Sequence, residues 1–387
     1  MKAAIVQCGG YQPETISSAV ERLLALLDLP WTGLWGGRRI LIKPNLLTDK
    51  PPECAATTHP EVVRALVRLV KHHGGLPLVA DSAASPVKLA AVWERTGFAA
   101  MCAEEQVPLI SLEQAGAEMF NFRGVPFSIA RPVLEADFII NACKLKTHLL
   151  TVITNAVKNI YGVVPGAQKT ALHKHFPDPG SLGAFLAHLY SLVRPGLTVT
   201  DAVLAMEGNG PSSGRPVSLG FLAASTDGVM LDAVVSRLLG IDPTILPFLV
   251  PPLTDDAGAL AARGVLMGDV AAVQGACAGF VLPATLPRRL IPAGLVRLLQ
   301  PLLWSKPEFT AACIRCGRCV AACPAPAIRL PDTGLPVLDS AACIECGCCS
   351  EVCPVAAIVI RSSRLARLAG SLCRPVRVLA SFLRKGK

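Results

Sequence analysis

The sequence predicts an α/β protein with a mostly parallel sheet core and a small, cysteine-rich α+β domain appended to it. Over residues 1–280, short apolar runs alternate with segments of helical periodicity. The composition is 52% hydrophobic and only 17% charged, rich in Ala, Val, Leu and Gly, as suits strands buried on both faces. Nine of the fifteen cysteines crowd into residues 313–353 with short, regular spacing, which fits metal ligation under reducing conditions better than disulfides.

The elements follow in chain order. KAAIVQC (2–8), RILIKPN (39–45) and LPLVAD (76–81) read as strands, separated by helical patterns at 14–28 and 59–73. That β-α-β-α-β order favours a parallel, helix-covered sheet. Further strands are expected at 136–142, 197–203 and 218–225, and helices at 151–160, 182–193 and 229–239. Residues 281–308 contain five prolines and read as a connector with one short amphipathic helix. A domain at 309–360 holds the clustered cysteines, and residues 361–387 form a basic tail.

Residues 313–324 read Cys-x2-Cys-x2-Cys-x3-Cys-Pro, and 343–354 repeat that spacing. This is the bacterial two-cluster ferredoxin pattern, in which three thiolates of each run hold one cubane and the fourth ligates the other. It assigns Cys313, Cys316, Cys319 and Cys353 to one 4Fe-4S cluster and Cys343, Cys346, Cys349 and Cys323 to the second, leaving Cys348 spare. Structural zinc sites would need only two short Cys pairs each and would not require the Cys-Pro step. The appended domain is thus expected to be ferredoxin-like, with two 4Fe-4S clusters relaying single electrons.

A second concentration of chemistry lies at 143–162, CKLKTHLLTVITNAVKNIYG. A helix over 151–160 would place Asn155, Lys158 and Asn159 on one face. Lys144, Lys146 and His148 alternate after the strand at 136–142 and point one way if that strand continues. Strand ends leading into helices are where open α/β sheets bind ligands, and helix N-termini favour anions. IKPNLL adds Lys43 and Asn45, and QKTALHKHF adds Lys169, His173 and His175. The expected anion site therefore comprises Lys43, Asn45, Lys144, Lys146, Asn155, Lys158, Asn159 and Lys169 as substrate-binding residues, with His148 and His173 as candidate catalytic proton donors or acceptors.

Neighbouring motifs have two readings each. His173 and His175 would share one side of a strand and could bind a metal. Cys143, beside Lys144, reads either as a thiolate nucleophile or as a buried strand-end cysteine. MEGNGPSSGRP (206–216) reads as an anion-cradling loop or as an ordinary tight turn. It matches neither G-x-G-x-x-G nor a Walker loop, so no nucleotide cofactor is indicated. Asp227 is placed to cap the helix at 229–239, while Asp232 could reach the pocket or pair with a lysine.

Residues 361–387 hold eight Arg or Lys and no acid, leaving only +1 of the formal +9 for the rest of the chain. A general nucleic-acid surface is not indicated, whereas the tail, with leucines at three- or four-residue intervals, suits peripheral contact with an anionic membrane or packing on the protein itself. No apolar run reaches membrane-spanning length and the start lacks a signal-peptide core, so a cytoplasmic location is expected.

In combination, IKPNLL, TTHPEVVRALVRLVKHHGG, NACKLKTH, AVKNIYGVVPG, MEGNGPSSGRP and STDGVMLDAVVSRLLG, followed by the double cysteine run, resemble the iron-sulfur proteins of the domain of unknown function 362 family. The resemblance covers nearly all of the chain before the tail. That family is similar in outline to the nickel-pincer lactate racemase group, which implies a two-lobed α/β domain with a cleft. The resemblance would carry pocket roles onto Lys43, Asn45, Lys144, Lys146, His148, Lys158, Asn159, Lys169 and His173. The sequence departs from the family at Cys143, where proline is common, and at 254–264, where a glycine-rich segment is degraded.

The expected function is a ferredoxin-coupled oxidoreductase acting on a small anionic substrate or cofactor. The alternatives are an electron relay for a partner enzyme and a maturation factor for a metallo-cofactor. Expected partners are a soluble electron carrier or redox enzyme and a small anionic ligand, with no nucleic acid.

Overall fold

The apolar runs pair into one sheet. A computed structural model describes residues 2–84, 86–283, 285, 302 and 304–365, so most of the 281–308 connector and nearly all of the 361–387 tail lie outside the described residues. In chain order the strands are β1 (Lys2–Gln7), β2 (Arg39–Lys43), β3 (Leu76–Asp81), β4 (Leu109–Ser111), β5 (Ala117–Phe122), β6 (Val125–Ala130), β7 (Phe138–His148), β8 (Val152–Thr154), β9 (Leu197–Glu207), β10 (Arg215–Ser225) and β11 (Val265–Gly268). The main sheet runs β11-β1-β10-β9-β7-β2-β3-β4, with β8 added to the end of β7. Along that path only β10 opposes its neighbours, so the core is mostly parallel.

Period-two alternation sends each strand's side chains to opposite faces, and both faces are covered. Ala3, Ile5 and Leu41 join the core beneath the helices Pro179–Val193 and Gly228–Leu238. Ala4, Val6, Ile40 and Ile42 join the other core, beneath the helices Pro13–Leu27 and Pro60–His72. The first of those helices buries Ile16, Ala19, Val20, Leu23, Leu24 and Leu27, a single stripe at helical spacing. The sheet is continuous, so the two lobes implied by the resemblance are here one body.

One expected element changes identity. The periodicity at 151–160 predicts a helix, but Val152 turns at φ 69° and residues 152–154 return as β8, antiparallel to the end of β7. Beyond its register shift against β9, between Lys144 and Lys146, the extended end of β7 gains a partner in β8. Helix begins only at Ala156–Asn159 and tightens to a 3-10 turn at Ile160–Val163. Asp232 holds that short helix: its carboxylate accepts from the N–H of Ala156 at 2.9 Å and of Val157 at 2.8 Å. Asp227 caps its own helix as expected, accepting from Val229 and Met230.

The cysteine domain adds β12 (Ser305–Phe309), β13 (Ile328–Arg329), β14 (Val337–Leu338) and β15 (Ile358–Ser362), paired β12 with β15 and β13 with β14. Two short helices, Arg318–Ala321 and Cys348–Glu351, each follow a left-handed glycine, Gly317 and Gly347. The domain docks at the end of the sheet where β2 and β9 finish. Arg318 grips Asp49 with two bonds of 2.9 and 3.0 Å, and Ser212 Oγ donates to the Glu351 carbonyl at 2.7 Å. Ala322 and Val352 enter one main core and Cys346 and Cys348 the other. Among the described residues no helix is long and apolar enough to cross a membrane.

Burial pushes the Asp232 carboxyl up to about 7, against the pull of its two N–H donors. Its folded pKa lies above the unfolded value, so its stabilising share is greatest below about pH 4 and declines towards pH 7. Asp232→Ala should therefore lower stability by about 2 kcal/mol through two orphaned donors, with a larger deficit at pH 5 than at pH 8. Urea denaturation at both pH values checks this.

Candidate functional site

Three parallel strands end side by side and present Lys43, Asp81, Lys146 and His148. Lys43 Nζ and Asp81 Oδ1 form a buried ion pair at 2.7 Å, and Asp81 Oδ2 accepts from Leu46 N at 2.7 Å. Gly162 abuts this pair so closely that a Cβ there would lie 2.5 Å from Asp81 Oδ1 and 2.6 Å from Lys43 Nζ. Beside it runs a chain of amides. Asn45 donates to Asn159 at 2.8 Å, Asn159 to Asn141 at 2.7 Å, and Asn141 to the Ala156 carbonyl at 2.9 Å. Lys146 Nζ donates to Asn45 Oδ1 at 2.9 Å and to the Ala56 carbonyl. These contacts tie the segment after β2 to β7 and to the short helix.

In front of these residues lies a cavity of about 70 Å³. Lys43, Lys146, Lys158, Lys169, His148 and His173 line it from the α/β domain, and Cys348, Glu351 and Val352 line it from the cysteine domain. Lys169 is anchored to Ser82, 2.9 Å from its carbonyl and 2.6 Å from its hydroxyl. Lys158 Nζ has no hydrogen bond or ion pair among the described residues and lies 4.4 Å from the Tyr161 ring centroid. His148 Nδ1 accepts from the N–H of Leu150 at 3.0 Å and of Thr151 at 3.3 Å, which leaves the proton on Nε2, 3.4 Å from Glu351 Oε1.

Four lysines face two carboxylates, Asp81 and Glu351, around this cavity. Burial lowers Lys158 and Lys169 to about 8, takes Lys146 well below its ordinary value and brings His173 down to about 4. Burial alone would raise Glu351, but its bond to His148 and the surrounding cationic groups bring it to about 2.

Several residues expected at the site lie elsewhere. Lys144 is not on the cavity wall; its ammonium pairs with Asp201 at 2.8 Å and Tyr11 Oη at 3.0 Å. Asn155 Oδ1 accepts from Thr200 at 2.8 Å, away from the cavity. Cys143 is fully buried, its thiol donates to Asn155 Oδ1 at 3.1 Å, and burial raises its pKa, contrary to a thiolate nucleophile. His173 and His175 sit on the helix Gln168–His175, not a strand, so two-residue spacing turns them apart and leaves His175 exposed. The 206–216 loop docks the cysteine domain through Ser212 and Ser213, and Pro211 is its contribution to the cavity wall. Asp232 serves the short helix and, among the described residues, meets no lysine. Glu351 and Ser82, which sequence reasoning missed, sit in a cysteine-run helix and a loop whose proximity to the lysines is purely tertiary.

The cysteines ring two further cavities. Cys313, Cys316, Cys319 and Cys353 line one; Cys323, Cys343, Cys346 and Cys349 line the other. Backbone N–H groups of Arg315, Ala327 and Ala357 point at the sulfurs of Cys313, Cys323 and Cys353 at 3.4, 3.2 and 3.2 Å, as suits thiolates. Among the described residues no three His, Cys, Asp or Glu side chains converge as a single ion would require. Two open rings of four soft donors fit cubane clusters instead.

A model of the domain of unknown function (DUF362) matches residues 40–237, half of the chain. The chain belongs to that family. A 4Fe-4S dicluster domain matches 312–357 in this DUF362 protein, making it an iron-sulfur protein with a ferredoxin-type domain. A thylakoid-associated protein of Synechocystis sp. is 32% identical over 249 residues, 63% of this chain and 76% of that one. The lactate racemase apoprotein of Thermoanaerobacterium thermosaccharolyticum aligns with 12% identity and a TM-score of 0.40 over 59% of this chain and 55% of that one, too loose a likeness to carry anything further.

Gly162→Ala should force the Lys43–Asp81 pair apart and cost about 3 kcal/mol, as breaking a buried ion pair does. Thermal and urea unfolding of the variant measure the loss.

Proposed function

We propose that this DUF362 protein is an electron-transfer oxidoreductase that delivers electrons to a small anion held in the lysine-lined cavity. The observation that carries the reading is the shared wall: Cys348, Glu351 and Val352, from the second cysteine run, close the cavity that Lys43, Lys146, Lys158 and Lys169 open. Cys313, Cys316, Cys319 and Cys353 would hold one 4Fe-4S cluster and Cys343, Cys346, Cys349 and Cys323 the other. Bound clusters would supply one-electron transfer. Asn45 and Asn159 hold the wall in place, and the lysines fix the anion. His148, with its proton on Nε2, supplies that proton, and His173 is the second candidate. Cys316 is exposed, which supports entry of electrons there from a reduced soluble carrier. The relative's thylakoid association and the basic 361–387 segment support a membrane-peripheral setting.

Anaerobically purified holoprotein should oxidise a reduced one-electron carrier only when a suitable small anion is present. Lys169→Ala should slow that oxidation at least tenfold while both clusters keep their paramagnetic signals. Carrier oxidation that ignores every small anion would move the assignment to an electron relay for a partner enzyme.

The lowered lysines also fix a pH dependence. Ammoniums with pKa about 8 hold an anion below that value and release it as they lose their protons, so anion affinity should fall as pH rises through about 8. Titrations at pH 7 and pH 9 compare the two states.

A further inference from the structure

The groups left unsatisfied on the cavity wall narrow what can fill it. Lys43 is occupied by Asp81, Lys146 by Asn45 and the Ala56 carbonyl, and Lys169 by Ser82. Lys158, 9% exposed, has no such partner among the described residues. Nδ1 of His173, a residue 3% exposed, is also without a hydrogen bond. A desolvated ammonium beside an unsatisfied imidazole is strongly disfavoured in an empty pocket and strongly favoured once an acceptor-bearing anion enters.

Size sets the second limit. A water needs about 10–15 Å³ by the same measure, so a cavity of about 70 Å³ admits some five waters or a ligand of about four to six heavy atoms. A nucleotide, flavin or other ring-bearing cofactor does not fit. The remaining wall mixes the apolar Leu46, Leu47 and Val352 with the polar Thr154, Thr170 and Glu351, and the Glu351 carboxylate leaves the anion to the Lys158 side.

We propose that the cavity takes a small oxyanion, inorganic or carboxylate, held directly by the Lys158 ammonium and the His173 ring. This rests on the reading of the cavity as the substrate site and deepens it by naming the class of anion and the two groups that hold it.

The test is isothermal titration of the anaerobic holoprotein, without reductant, using sodium phosphate, sulfate, formate and acetate, with ATP as a size control. At least one of the four small anions should saturate the protein, and Lys158→Ala should weaken its binding at least tenfold. Saturation by phosphate or sulfate identifies an inorganic oxyanion, and by formate or acetate a carboxylate. Binding of ATP alone, no binding of any of the four, or affinity unchanged in Lys158→Ala overturns the proposal. Lys158→Met gives a readout independent of affinity. It should raise the Tm of the anion-free protein, because a buried unpaired charge is gone, and abolish the rise that the anion gives the wild type. An unchanged or lower Tm with the anion-induced rise intact counts against the proposal. The two readings fail separately: saturable, Lys158-dependent binding without carrier oxidation sinks electron transfer alone, whereas anion-dependent oxidation that ignores Lys158 sinks this assignment alone.

Discussion

Charge kept out of water governs this protein. Lys43, Lys144 and Lys146 are each almost completely buried on parallel strands, where an isolated ammonium would be several kcal/mol out of balance. Two of them are answered by buried carboxylates, Asp81 and Asp201, and the third by an amide and a carbonyl. Meeting those demands fixes where the segment after β2 runs, why glycine stands at 162, and how β7 meets β9. The cavity occupies the place where such compensation stops, in front of Lys158.

The support beneath that place is layered. Asp232 pins the N-terminus of the Ala156–Asn159 helix, and that helix aims Asn159 at the amide chain and Lys158 at the cavity. Arg318, Ser212 and Ser213 then hold the cysteine domain against the opening. Each layer uses a buried or half-buried polar bond rather than a flexible surface contact, which keeps the wall within the tolerance a small ligand needs.

Much of the fold was legible in the sequence because its signals are local. The apolar runs at 2–8, 39–45 and 76–81 became β1, β2 and β3, and the repeated cysteine spacing marked a dicluster domain. The hairpin of β5 and β6 was not legible, since β5 is largely exposed and neither strand shows a clean apolar alternation, although β6 buries its last four residues. The helix expected from 151 failed for a different reason: Val152–Thr154 satisfies helical periodicity, yet the end of β7 needed a strand partner more. At the site, spacing brought Lys43, Lys158 and Lys169 to notice, but only tertiary pairing could show that Lys144 belongs to Asp201. The same limit hid Glu351, nearly two hundred residues from Lys158 and facing the same space.

The shared wall also makes the cavity conditional on docking of the cysteine domain. Without the Cys348–Glu351 helix in place, the lysines would open onto solvent, where water and salt screen charge. The cavity is therefore a property of the two domains together and of neither alone. On the proposed function, anion binding and electron delivery would therefore depend on the same docking contacts, Arg318 with Asp49 and Ser212 with the Glu351 carbonyl.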